Sequence, residues 1–226
     1  MRTLKPQHVI IGKDQIEGHK ILKHIEKIAR TCYKSEDLIN DESAEKMIKK
    51  LIKLNHLAMI EHASVSVLFT CDRGVTHEIV RHRVASYAQE STRYVNYSKD
   101  KFGNEIGYID IAGGIALDTK MKDLPVETID AIISEWHQAC IDAEKHYMKM
   151  LELGATPQIA RSVLNNSTKS DINVTMNLRE WRHFFELRCD APAHPQMREL
   201  VIPLLKEMSE VIPIVFDALV EKFCYK

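Results

Sequence analysis

The sequence predicts an α+β fold, a small antiparallel sheet flanked by helices, one of them long. Three observations predict it. Residues 63–71 alternate, with Val65, Val67 and Phe69 apolar and Ser64, Ser66 and Thr70 between them. Ile172, Val174 and Met176 alternate in the same way. Between these stretches, Val126, Ile129, Ile133, Trp136, Cys140, Ala143, Tyr147 and Met150 recur at helical spacing. The order is mixed, with helices dominating and strands few.

Taken in order, residues 17–29 carry a helical stripe of Ile21, Leu22, Ile25, Ile28 and Ala29. Residues 43–54 repeat it with Met47, Ile48, Leu51 and Ile52, and Asp41 or Ser43 is placed to cap that helix. The first strand follows. Gly74 then precedes a short helix through Val75, Ile79 and Val80, and residues 86–97 are polar and aromatic-rich. Residues 103–122, with four glycines, read as loop. The long helix, roughly 40 Å at 1.5 Å per residue, has Pro125 at its start and Gly154 at its stop. Such a length suits packing against a partner subunit or spanning its own domain. Pro157 opens a further helix with Ile159, Val163 and Leu164. After the second strand, Asn177 and Glu180 form a capping-box pattern ahead of Trp181, Phe184, Phe185 and Leu187. Pro195 opens the last helical region, which Pro203 and Pro213 should bend or divide.

The chain has 226 residues, enough for one domain over 1–226. Its net charge of −1 disfavours a general coat for nucleic acid. No apolar run is long enough to cross a membrane, and no signal peptide is read at the N-terminus, so a cytoplasmic protein is expected. The five cysteines include no C-x-x-C pair, which fits a reducing compartment. Neither nucleotide-binding glycine loop is present. His77 and His82 lie five residues apart, about 140° round a helix, where a zinc helix needs four, so no metal site is expected.

Two clusters carry the chemistry. Residues 81–94 read RHRVASYAQESTRY: Arg81, His82, Arg83 and Arg93, one carboxylate, Glu90, and hydroxyls including Ser91 and Thr92. Every cation there is Arg or His. Arginine's planar fork grips phosphates and carbonyls with fixed geometry, which suits an anionic, planar ligand such as a nucleotide; an internal salt-bridge cluster is the alternative. Downstream lie Arg161, Asn177, Arg179, Arg182, His183 and Arg188. On a helix Arg179 and His183 fall about 40° apart, on one face. Arg188 falls on the apolar face with Trp181, Phe184 and Phe185, where a cation needs a partner, either Asp190 or Glu186 or a ligand.

The first cluster closely resembles the signature of the flavin-dependent thymidylate synthases: Arg-His-Arg, seven residues, Ser, one residue, Arg-Tyr. Residues 56–62, HLAMIEH, resemble that family's H-x-[ST]-P-F-E-H, with Ala58 and Met59 departing from it. Asn177-Leu178-Arg179 resembles its Asn-x-Arg, and HFFELR at 183–188 its following helix. The resemblance runs in order over roughly residues 20–215. It implies a homotetramer binding FAD and dUMP at sites shared between subunits, with methylenetetrahydrofolate as carbon donor and NADPH as reductant. By resemblance, His56, Arg81, His82, Arg83, Gln89, Asn177, Arg179 and His183 contact flavin. Glu78, Arg81, Gln89, Glu90, Ser91, Thr92, Arg93, Arg161 and Arg188 contact dUMP, with Arg188 polarising the uracil ring. Glu78 stands where some members have Gln, and beside a phosphate would need a cation such as Arg81 or Arg161. A non-catalytic nucleotide- or RNA-binding module using the Arg/Tyr cluster is the competing expectation.

Overall fold

A computed structural model describes residues 1–32, 34–99 and 103–225. Its centre is a four-stranded antiparallel sheet in the order β2 (Gln7–Ile10), β3 (Ser64–Asp72), β6 (Lys169–Asn177), β4 (Ala85–Gln89). The two alternating segments found in the sequence are the two central strands, paired along their whole length from Ser64↔Asn177 to Asp72↔Lys169. One face is apolar: Val65, Val67, Phe69 and Cys71 of β3 and Ile172, Val174 and Met176 of β6 are buried. The other face is lined by polar cross-strand pairs, Ser66–Thr175 at 2.7 Å and Thr70–Asp171 at 2.6 Å. Period-2 alternation turned one side of the sheet toward helices and left the other polar.

The helices cover the apolar face. α7 (Leu178–Arg188) lays Trp181 and Phe184 against Phe69, with Phe185 stacked on Trp181, and α8 (Pro195–Val211) and α9 (Asp217–Cys224) pack behind them. α1 (Gly18–Thr31) buries Leu22, Ile25 and Ala29; α2 (Ser43–Lys53) buries Ile48 and Leu51. A buried ion pair, Arg30–Glu26 at 2.7 Å, receives the Ser43 hydroxyl at 2.9 Å and ties the two helices together. Ser43 is therefore spent on Glu26, and Asp41 pairs with Lys23; neither caps α2. Gly18 is required by proximity, because a Cβ there would stand 2.2 Å from the carbonyl oxygen of Val211.

A second, smaller cluster forms where α5 (Val126–Glu152) crosses the other side: Cys140 and Tyr147 meet Tyr97, Ile106, Tyr108 and Ala160. Here the sequence expectation needs correction. Part of the predicted loop is ordered as β5 (Gly107–Ile109), parallel to β1 (Arg2–Leu4), and α4 (Ala112–Leu117), packed on α8. Gly113 and Gly114 let α4 approach Glu199 and Gln196 closely, a tertiary reason for glycine that imitates a loop in sequence. After α6 (Pro157–Ala160) the chain continues as a 3-10 turn rather than a longer helix. α8 runs through Pro203 unbroken, and Pro213, followed by Ile214 at φ 75°, separates it from α9.

Candidate active site

β6 ends at Asn177 and α7 begins at the next residue. The Asn177 side chain accepts from Glu180 N at 2.9 Å, the cap the sequence predicted. The Arg-His-Arg segment sits beside it for a topological reason. It lies between α3 (Arg73–Ile79) and β4, and β4 begins opposite Met176, one residue before β6 ends. Tyr87 holds that turn, its hydroxyl bonding the carbonyls of His82 and Ile79 at 2.5 and 2.9 Å.

His82, Arg188, Glu78 and Glu180 form one network at this end of the sheet. Arg188 donates through Nη1 to Glu78 Oε2 at 2.8 Å, through Nη2 to the Glu78 carbonyl at 2.9 Å, and through Nε to His82 Nε2 at 3.1 Å. Its side chain is 18% exposed. Glu78 is thus the partner that neither Asp190 nor Glu186 supplies, and Arg188, not Arg81 or Arg161, neutralises Glu78. His82 is 4% exposed; burial first, then the nearby Arg188 and His183 charges, lower its pKa to about 4. Its Nδ1 lies 3.3 Å from Glu180 Oε1. Burial raises the Glu180 carboxyl above its ordinary value.

His82, Glu180 and His183 also bring three ligand-type atoms within 4.8 Å of one another. Spacing along one helix does not reveal such a set, because His82 precedes β4 while Glu180 and His183 lie on α7. A cation at that point would sit against an imidazole already hydrogen-bonded to the Arg188 guanidinium, which opposes it electrostatically.

Two clefts open beside the network. One, about 480 Å³, is lined by Asn177, Arg179, Glu180 and His183, with Val84 and Glu61 opposite. The other, about 420 Å³ and more apolar, is lined by Met47, Leu51, His56, Ala58 and Met59. Leu57 and Arg179 belong to both, so the clefts are contiguous. Four of the residues resembling flavin contacts, His56, Asn177, Arg179 and His183, therefore line one continuous depression. Arg179 donates to Glu61 at 2.5 Å while remaining 52% exposed. Arg81 and Arg83 are exposed, and their guanidinium groups have no hydrogen bond or ion pair among the described residues. Arg182 is different: buried, it donates to the Val215 carbonyl and serves the core.

The remaining candidates lie elsewhere. β4 separates Arg81, His82 and Arg83 from Glu90, Ser91, Thr92 and Arg93, its five residues spanning roughly 16–17 Å. At the far end Glu90 accepts from Tyr97 and Lys169, each at 2.9 Å. Arg161 donates to buried Thr92 at 3.1 Å, and Arg93 donates to Gln158 at 2.9 Å. The Ser91 carbonyl and hydroxyl close the turn that holds them. Gln89 is held by Thr76 and Ser170. One chain therefore presents two groups of candidate residues, at opposite ends of a strand. Sequence reasoning treats them as contiguous because β4 is only five residues long: half-buried Ala85 and Tyr87 alternate with exposed Ser86 and Ala88, too short a period to mark a strand. Glu61 and Leu57 of the HLAMIEH segment and Met47 of the α2 stripe also line the clefts, a role their positions in the sequence do not reveal.

The family model described as "Thymidylate synthase complementing protein" matches residues 18–214. A flavin-dependent thymidylate synthase of Geobacter sulfurreducens is 34% identical over 197 residues, covering 83% of this chain and 77% of the relative. One from Mycobacterium tuberculosis is 32% identical over 199 residues, covering 85% and 77%. Among solved structures, the UMP/dUMP methylase PolB of Streptomyces cacaoi, bound with 5-Br dUMP, superposes with a TM-score of 0.77 at 21% identity over 99% of this chain and 98% of its own; that likeness speaks to the fold. The signature segment, the capped α7 and a match over most of the chain converge, and the chain belongs to the thymidylate synthase complementing protein family, whose relatives named here are flavin-dependent thymidylate synthases.

Proposed function

We propose that the protein reductively methylates dUMP to dTMP, with FAD as bound cofactor, methylenetetrahydrofolate as carbon donor and NADPH as reductant. It works in the cytoplasm as a homotetramer whose sites draw residues from more than one subunit. The observation that carries the reading is Arg188: a partly exposed guanidinium, held by three hydrogen bonds on two sides, with N–H donors left over. A planar donor fixed before the ligand arrives costs no reorganisation when charge develops on a pyrimidine carbonyl. The separation of the two residue groups by β4 supports sharing between subunits, because Ser91, Thr92, Arg93 and Arg161 of one chain stand far from its own Arg188.

The residues present fit FAD. Arg81 and Arg83 are exposed cations without partners among the described residues, which suits a diphosphate where no glycine-rich loop exists. The contiguous clefts offer an apolar floor with Arg179, His56 and His183 at the edges, suiting a ring system with a charged tail. When bound, FAD supplies the hydride chemistry; the chain binds, orients and excludes water. Arg93 and Arg161 suit the dUMP phosphate, and Ser91 and Thr92 its hydrogen bonds. Cys71, Cys140 and Cys189 are buried, with thiols pushed above their ordinary range by desolvation, so no cysteine nucleophile is invoked from them.

The test is spectroscopic and then kinetic. The purified protein should bind FAD non-covalently in titration and form dTMP from dUMP in the presence of the folate and NADPH. Arg179→Ala should weaken flavin retention more than it moves melting, since an exposed Arg contributes little to folding. Wild type that binds no FAD, or binds it and forms no dTMP, overturns the reading.

A further inference from the structure

Glu180 reads in sequence as half of a capping box, but its carboxylate is committed elsewhere. Asn177 receives Glu180 N, while Glu180 Oε1 turns to His82 Nδ1. Across the imidazole, His82 Nε2 faces Arg188 Nε at 3.1 Å. A guanidinium has donors and no acceptor. His82 Nε2 must therefore be the lone-pair nitrogen, so the proton sits on Nδ1 and points at Glu180. The ring is 4% exposed and neutral near pH 7, since its pKa is lowered to about 4. In the other tautomer two N–H groups would confront each other across the Arg188 contact, and Glu180 would face a bare nitrogen.

We propose that Glu180 is a positioning residue for Arg188: by accepting from His82 Nδ1 it selects the tautomer whose Nε2 holds Arg188 Nε. This deepens the reading of Arg188 given above and rests on it. Glu78 fixes the outer edge of the guanidinium through Nη1 and Nη2, and His82 fixes the Nε side. Two anchors on different sides define the orientation of a planar group; one leaves it free to swing. Removing the acceptor strands a buried Nδ1–H and makes the opposite tautomer competitive. A glutamine can still accept through its amide oxygen. A leucine of similar bulk cannot.

The experiment compares wild type, Glu180→Gln and Glu180→Leu as FAD-loaded protein. Histidine side chains are labelled with 15N, and His82 is assigned by the signal lost in His82→Gln. Each protein is also run in single-turnover dTMP formation at saturating dUMP. The expected result is an Nδ1–H, unprotonated-Nε2 signature for His82 in wild type and Glu180→Gln, with turnover of the Gln variant close to wild type. In Glu180→Leu the signature should shift toward Nε2–H, and turnover should fall by about tenfold or more with FAD content retained, as for a donor that has lost its orientation. An Nε2–H signature in wild type overturns the proposal without any variant. So does a Leu variant with the wild-type signature and turnover. If wild type forms no dTMP, the functional reading fails, while the tautomer measurement, which needs no turnover, still decides whether Glu180 sets His82.

Discussion

Arg188 spends three of its contacts on Glu78 and His82, residues about 110 positions earlier in the chain. That separation explains what the sequence could and could not reveal. The helical wheel put Arg188 on the face of Trp181, Phe184 and Phe185, and the structure keeps it half-buried beside that aromatic cluster. No wheel can reveal a partner on another element, so Glu78 was invisible, as was the tie between Glu180 and His82. Replacing Arg188 by Ala should lower single-turnover dTMP formation on the order of 100-fold, in variants that fold and keep FAD, as for loss of one preorganised donor. Arg188→Lys should restore little, because an ammonium cannot reproduce a contact made through Nε, Nη1 and Nη2 together. Turnover of Arg188→Ala within about threefold of wild type, far short of a preorganised donor's contribution, would move the assignment to Arg161 or Arg93.

Among the elements, β3, β6 and α5 were legible because their burial follows a simple period. β4 and β5 were not: the first is exposed along most of its length, and the second owes its order to β1. α5 was legible in extent but is unusual in burial. It meets the chain's own core from Trp136 onward, through half-buried Trp136 and buried Cys140 and Tyr147. In its first half Val126 is 68% exposed, and Ile129 and Ile133 are only half-buried. An apolar ridge of that kind gains about 1.5–3 kcal/mol for each large side chain it fully covers, and a second copy of the helix would cover it. Light scattering should report a homotetramer for wild type, and Ile129→Glu with Ile133→Glu should shift the mass downward without unfolding α1, α2 or the sheet. An unchanged tetramer would place the interface on another element, and a monomeric active wild type would remove the shared-site reading.

At the scale of the whole molecule, one buried imidazole shapes stability against pH. The folded chain holds His82 near 4, while unfolded it would titrate near the ordinary 6.5. Above about 6.5 neither state binds the proton and this group adds no slope. As pH falls from there to about 4, the unfolded state gains the proton first, so stability declines, by on the order of 2–3 kcal/mol in all. Melting of wild type should therefore fall more steeply across that window than melting of His82→Gln, and parallel curves would contradict the burial assigned to His82. The same imidazole hangs from a sheet whose central strand, β6, runs without a linker into α7. Asn177, Arg179, Glu180, His183 and Arg188 consequently share one mechanical origin, the pairing of β6 with β3 and β4. A single residue inserted into β6 upstream of Ile172 would either invert the strand's two faces or advance α7 by about 100° of helical phase. Either error would carry all five side chains past Glu78 and His82 together, so the strand works as a vernier for the cleft, and its tolerance for insertions should be far lower than its distance from the chemistry suggests.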